Sequence, residues 1–193
     1  VNYMSDAFVR QYGNSVYGMK VHYCRELRPL GTGGCVKNAE KTIGHDENFL
    51  LLNGDILSRI DYAQLVAQHA KNGGVTTIAL HKVEDPSRYG VVDLVKSRIS
   101  RFVEKPPRGK APSSLINAGI YALSPRIFDY IPSNACVSLE RETFPALVQD
   151  KELFGCVFKG FWIDIGEPSD FLKGNRLLLD SEPKAERPGK TAR

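Results

Sequence analysis

The sequence predicts an α/β fold: a mostly parallel sheet flanked by helices, with a small antiparallel β excursion in the middle of the chain. Three observations carry that expectation. Strand-like and helix-like periodicities alternate over most of the length. Asn48 to Asn53 is a continuous apolar run ending in Gly54-Asp55, the pattern of a central strand buried on both faces. Residues 90–123 then break the alternation with short strands joined by turns.

In chain order, Val1-Asn2-Tyr3 reads as the end of a strand, which implies a segment upstream. Met4 to Tyr12 reads as a helix capped by Ser5 or Asn2 and stopped by Gly13. Gly18 to Cys24 alternates apolar and polar residues, as a half-buried strand does. A turn, Pro29-Leu30-Gly31-Thr32-Gly33-Gly34, precedes a helix over Cys35 to Ile43, and the strand Asn48 to Asn53 follows. Asp61 caps a helix from Tyr62 to Lys71 that Gly73-Gly74 ends, and β-branched residues mark a strand over Val75 to Lys82. The antiparallel excursion comprises Gly90 to Val95, Ile99 to Glu104 and Leu115 to Leu123. Helical pattern returns at Pro125 to Tyr130 and at Leu139 to Gln149, with Ser138, Glu140 and Glu142 as a helix N-terminus of structural purpose. Strands at Leu153 to Phe158 and Phe161 to Ile165 precede a helix over Glu167 to Leu179, with Pro168 in its first turn. Residues 181–193 are rich in Pro, Lys, Glu and Arg and read as a disordered basic tail.

The composition narrows the function. The chain of 193 residues is 42% hydrophobic, enough for one substantial core. Its net charge of +4 is mild and concentrated near the end, and no basic block is interleaved with aromatics, so nucleic acid is not an expected partner. Cys24, Cys35, Cys136 and Cys156 are widely spaced without a C-x-x-C pair, which fits reduced thiols in a cytoplasmic protein rather than a zinc or disulfide framework. No apolar run reaches the roughly 20 residues of a membrane helix.

Several residues could carry chemistry. Asp55 follows an apolar strand and so falls at a sheet rim, where ligands bind in α/β folds; a helix cap or turn residue is an equal reading. Asp164 interrupts the apolar run Gly160-Phe161-Trp162-Ile163-Asp164-Ile165-Gly166 and needs a partner if it is buried. If Asp55 and Asp164 met at one rim they would repel unless a cation lay between them, and Mg²⁺ suits one or two carboxylates completed by water and phosphate oxygens. Lys105, at a strand end before Pro106, is a point charge for a phosphate or one half of a surface pair with Glu104. The glycine turn at 31–34 could let backbone approach a base or phosphate, although it is not a dinucleotide fingerprint. Gly119, inside an apolar strand, marks a bulge or a close ligand approach, and Asn117 beside it offers both donor and acceptor to sugar hydroxyls. Tyr89-Gly90-Val91 has the same character. Gly189-Lys190-Thr191 fails as a P-loop, because the required first glycine falls at Lys184.

Six segments in order resemble the sugar-1-phosphate nucleotidyltransferases, the mannose-1-phosphate guanylyltransferases most closely. They are Pro29-Leu30-Gly31-Thr32-Gly33-Gly34, Leu52-Asn53-Gly54-Asp55, Tyr89-Gly90-Val91-Val92, Phe102-Val103-Glu104-Lys105-Pro106, Asn117-Ala118-Gly119-Ile120-Tyr121 and the run 160–166. The resemblance implies a Rossmann-like fold over residues 1–180 that joins a nucleoside triphosphate to a sugar 1-phosphate and releases pyrophosphate, GTP and mannose 1-phosphate being the expected pair. It implies that Asp55 and Asp164 hold Mg²⁺ and that Lys105 binds sugar-phosphate oxygens. Glu104 and Asn117, with the backbone at Gly90 and Gly119, would recognise sugar hydroxyls, and Gly31 with Thr32 would line the base pocket.

The family's Gly-rich triphosphate loop, with its reactive-site arginine and Pro-Lys-Pro segment, has no counterpart in this sequence. The expectation is therefore a fold without its first strands, weakly active or inactive alone, and open to self-association or to completion by an N-terminal segment. A non-catalytic or regulatory relative, and a glucose-1-phosphate uridylyl- or thymidylyltransferase, are the alternatives.

Overall fold

The computed structural model describes residues 4–181; the expected strand end at residues 1–3 and the tail beyond residue 181 lie outside them. Helix α1 (Ser5–Tyr12) stops at Gly13, but Met4, in left-handed backbone, stands at its N-cap and no side chain caps it. A small hairpin follows, β1 (Ser15–Val16) with β2 (Met19–Lys20). The strand expected over Gly18 to Cys24 is thus confined to Met19–Lys20, because β1 offers only two residues to pair with, and residues 21–30 form neither helix nor strand.

The helix expected over Cys35 to Ile43 begins earlier and divides in two, α2 (Gly31–Asn38) and α3 (Glu40–Ile43). The glycine turn is therefore the opening of α2, not a loop ahead of it, and the reason is a close seam with residues 135–137. Gly33 and Gly34 donate their N–H groups to the Val137 carbonyl at 2.8 and 3.3 Å, and Val137 donates back to Leu30 at 2.8 Å. A Cβ on Gly31, at φ +72°, would sit 2.5 Å from the Val137 carbonyl oxygen, and one on Gly34 would sit 2.5 Å from that of Ala135. Only glycine lets the two backbones meet.

The remaining elements are β3 (Phe49–Leu52), β4 (Ile56–Ser58), α4 (Tyr62–Asn72), β5 (Thr76–Lys82), β6 (Gly90–Val95), β7 (Arg98–Glu104) and β8 (Leu115–Leu123). A 3₁₀ turn (Pro125–Tyr130) and a π-helical turn (Leu139–Thr143) lead into α5 (Phe144–Gln149), β9 (Leu153–Val157), β10 (Trp162–Asp164) and α6 (Pro168–Ser181). Asp61 caps α4 by accepting from Gln64 N, and Gly73 closes it at φ +67°, as the sequence predicts.

The expectation of a mostly parallel sheet is not met. Among the described residues six strands run in the order β3-β8-β5-β9-β7-β6, and only β5 with β9 is parallel. A further pairing of Val91 with Ile116 joins β6 back to β8 and curls the strands toward a small barrel. The cause is β8. It runs antiparallel between β3 and β5, so these two, which share a direction, are not hydrogen-bonded to each other. The connections through residues 83–114 contain no crossover helix, and without one neighbouring strands pair antiparallel. β3 is likewise corrected: it pairs only with β8 among the described residues, with Phe49 and Leu51 turned to the core and Leu50 and Leu52 exposed. The strands buried on both faces are β5 and most of β8.

Two apolar layers hold this sheet. Ile78, Leu80, Tyr121, Leu123, Phe128, Phe144 and Leu153 lie in one, with the 3₁₀ turn and α5. Leu65 of α4, Ala79, Ala118, Ile120 and Phe158 lie in the other. β4 and β10 stand apart as a two-stranded antiparallel ribbon, and this ribbon sets the site.

Candidate active site

A cleft of about 370 Å³ opens between the residue after β3, the start of β6, the end of β7, the first half of β8 and the β4–β10 ribbon. Thr32, Gly90, Glu104, Lys105, Asn117, Gly119 and Asp164, all expected from the sequence, line it. Asp55 stands at its edge, and Gly31 lies behind Thr32 with its backbone against Val137. Asp55 and Asp164, distant in sequence, become neighbours through the ribbon: Asp164 pairs with Ile56 in the ladder, and Ile165 N donates to the Asp55 carbonyl at 2.8 Å. Their side chains turn to one place. A Cβ built on Gly166 would lie 3.1 Å from Asp164 Oδ1 and 3.4 Å from Asp55 Oδ2, so a side chain at 166 would crowd the space the two carboxylates share. Asp164 Oδ1 also accepts from Gly166 N at 2.9 Å.

The donor set fits a hard divalent cation. Two carboxylates supply oxygen ligands, and among the described residues no group of three or more His, Cys, Asp or Glu could hold an ion alone. An ion here would complete its shell with water and with a ligand's own oxygens, which is the habit of Mg²⁺.

Across the cleft, Gly90 and Glu104 face each other in the β6–β7 ladder. Gly90 leaves room for the Phe102 ring and the Glu104 carboxylate, whose Oε2 would be 3.0 Å from a Cβ there. That oxygen is buried without a hydrogen-bond partner. Burial first, and the charge of Glu140 second, push the Glu104 carboxyl above the usual glutamate range, with Lys105 and Arg141 opposing. A buried, unsatisfied acceptor facing a cleft suits a ligand hydroxyl. Lys105 is exposed and held at φ +45°, its N–H donating to the Tyr89 carbonyl at 3.0 Å. Asn117 donates from Nδ2 to the Tyr121 hydroxyl and accepts from Gly119 N, both at 3.0 Å. Gly119, at φ +71°, makes room for Asn53, whose Nδ2 would be 2.8 Å from a Cβ.

The cleft also contains residues given no role from sequence. Trp162 and Tyr89 sit inside recognised segments; they meet edge to face with centroids 5.4 Å apart, and Trp162 Nε1 donates to the Ala118 carbonyl at 2.9 Å. Glu140, read as part of a helix N-terminus, accepts from the Thr32 and Ser138 hydroxyls at 2.7 and 2.9 Å while lining the cleft. Its neighbours keep the structural part: Ser138 Oγ accepts from Arg141 N, and Glu142 accepts from Ser138 N, a reciprocal cap. Arg88 and Arg141 carried no signal, since exposed cations beside turns look like ordinary surface. Among the described residues no helix is long and apolar enough to cross a membrane.

Three comparisons bear on this geometry. The model of the nucleotidyl transferase family matches residues 1–181. The mannose-1-phosphate guanyltransferase of Aspergillus oryzae is 41% identical over 191 residues, 95% of this chain and 51% of that protein. The chain thus spans about half the length of the curated relatives it matches. Among solved structures, HddC from Yersinia pseudotuberculosis complexed with GMP-PN superposes with a TM-score of 0.74 at 29% identity, covering 92% of this chain and 76% of that one. The UTP-bound UGPase from Acinetobacter baumannii gives 0.75 at 25% identity, covering 93% and 67%.

Proposed function

Because the chain belongs to the nucleotidyl transferase family, we propose that its cleft transfers a nucleotidyl group from GTP to mannose 1-phosphate, giving GDP-mannose and pyrophosphate. An oxygen of the sugar phosphate attacks the α-phosphorus in line, and the bond from that phosphorus to the pyrophosphate oxygen breaks. The attacking group is already an anion, so no strong base is needed and catalysis is chiefly alignment and charge neutralisation.

The residues divide the work. Lys105 holds the sugar-phosphate oxygens as a mobile point charge. Glu104, with its unpaired buried oxygen, and Asn117, already donating to Tyr121, receive sugar hydroxyls beside the backbone of Gly90 and Gly119. Gly31 and Thr32 stand on the side where the base would lie. Asp55 and Asp164 would hold Mg²⁺, which when bound neutralises phosphate charge and polarises the reacting phosphorus.

The observation that supports the reading most is the convergence of Asp55 and Asp164 on Gly166, beside the cleft that Lys105 and Asp164 line. The preference for mannose and guanine rests on likeness to the guanyltransferases and to the GMP-PN complex. Calorimetry with Mg²⁺ present tests it, with mannose 1-phosphate and glucose 1-phosphate as one pair of titrants and GTP and UTP as the other. Tighter binding of mannose 1-phosphate and of GTP is expected; equal or reversed preferences would contradict the assignment.

A further inference from the structure

Arg88, on the turn before β6, lines the cleft, yet its guanidinium is turned to the start of α6. Nη2 lies 3.0 Å from Glu167 Oε1, and Nη1 and Nη2 lie 3.3 and 3.4 Å from Asp170 Oδ2. The group also lies over the Tyr89 ring at 6.0 Å, and Tyr89 meets Trp162 of β10. With two carboxylates already on it, this cation is not set up as a phosphate ligand in the way Lys105 is.

What it grips is a short strap. Asp164 ends β10, Ile165 is bonded to Asp55, Gly166 donates to Asp164 Oδ1, and Glu167 and Asp170 follow at once. The strap is therefore fixed on one side by the β4–β10 ribbon and on the other by the Arg88 fork. A planar guanidinium with two acid partners defines direction as well as distance, which an ammonium group does not.

We infer that Arg88 is a positioning residue for the metal site: by tying Glu167 and Asp170 it holds the strap so that the Asp164 carboxylate faces Asp55. The inference rests on the reading of Asp164 as a magnesium ligand. It makes a distinctive demand. A field effect alone requires loss of a nearby positive charge to tighten cation binding, whereas loss of the tie requires it to weaken. Outer groups that orient a ligand typically account for about tenfold or more in metal affinity.

The test titrates the chain with Mn²⁺ alone, followed by electron paramagnetic resonance, in wild type, Arg88→Ala, Arg88→Lys, the pair Glu167→Gln with Asp170→Asn, and Asp164→Asn. Arg88→Ala is expected to weaken Mn²⁺ about tenfold, Arg88→Lys to weaken it less, and the Gln/Asn pair, which retains Arg88 and side-chain size, to match Arg88→Ala. Unchanged or tighter binding in Arg88→Ala overturns the inference, as does weakened mannose 1-phosphate binding with Mn²⁺ affinity intact, which would make Arg88 a substrate ligand. If Asp164→Asn binds Mn²⁺ as wild type does, the reading of Asp164 fails, and the two failures are thereby told apart.

Discussion

Lys105 is held in left-handed backbone where most side chains cost about 1 kcal/mol or more; the exposed Lys96 and Lys151 share that backbone, so it is the place of Lys105 in the cleft wall that sets it apart. Lys105→Ala should weaken sugar 1-phosphate binding about tenfold, the worth of one charge-assisted contact, while Lys105→Gly, equally poor at binding, should be about 1 kcal/mol more stable than the alanine variant in urea. A glycine variant no more stable than alanine would remove the strain from the account. Glu104 gives the second residue-scale prediction. Burial raises its carboxyl in the folded state, so the folded protein holds the proton longer than the unfolded chain does. Its effect on stability is neutral below the ordinary glutamate range and becomes a growing cost as pH rises through the folded value. The stability difference between Glu104→Gln and wild type should therefore move in favour of glutamine from acidic to neutral pH, read as urea midpoints; a pH-independent difference would contradict it. The strand end before Pro106 made Lys105 a candidate with a surface pair as the other reading, and Glu104 was singled out only through the family resemblance. Arg88 and Arg141 were not singled out, because nothing local separates a cation that ties a strap from one that faces solvent.

At the scale of elements, the site depends on places where a side chain would separate two segments. Gly119 in β8 makes room for Asn53, which continues the β3–β8 ladder by donating to the Gly119 carbonyl at 2.8 Å. Gly119→Ala adds both a positive-φ penalty and a clash, and should lower stability by about 1–3 kcal/mol while displacing Asn53 at the cleft wall; retention of wild-type stability and sugar-phosphate affinity would sink this. The α2 seam follows the same logic, and sequence pattern gave its glycines to a loop because the facing stretch, residues 135–137, lies a hundred residues away. β3 shows the limit of apolar runs. Leu50 and Leu52 look like interior residues in the sequence but are exposed on an edge strand, whereas β5, with Thr76 and Thr77 buried, is the central one. Turn and cap chemistry, by contrast, is local, and Asp61 and Gly73 bound α4 as expected.

For the whole molecule, alternation of helix and strand correctly signals α/β, but it cannot reveal that β8 inserts antiparallel between β3 and β5. Pairing partners are fixed by long-range register, and a helix-free return through residues 83–114 was the one local hint. The short segments fare better because most flank an element end, with 117–121 at the glycine irregularity inside β8, and they converge: 52–55, 89–92, 102–106, 117–121 and 160–166 all reach one cleft. The pairing of Asp55 with Asp164 was invisible in spacing, since it is made by a ribbon that stands off the main sheet. That pairing is the centre of the proposed chemistry, and anomalous diffraction locates it most directly. In crystals grown with Mn²⁺ and GDP-mannose, the account predicts one anomalous peak bonded to both carboxylates and lost in Asp55→Asn and in Asp164→Asn. A peak that touches neither aspartate, or one that persists in both variants, would contradict it.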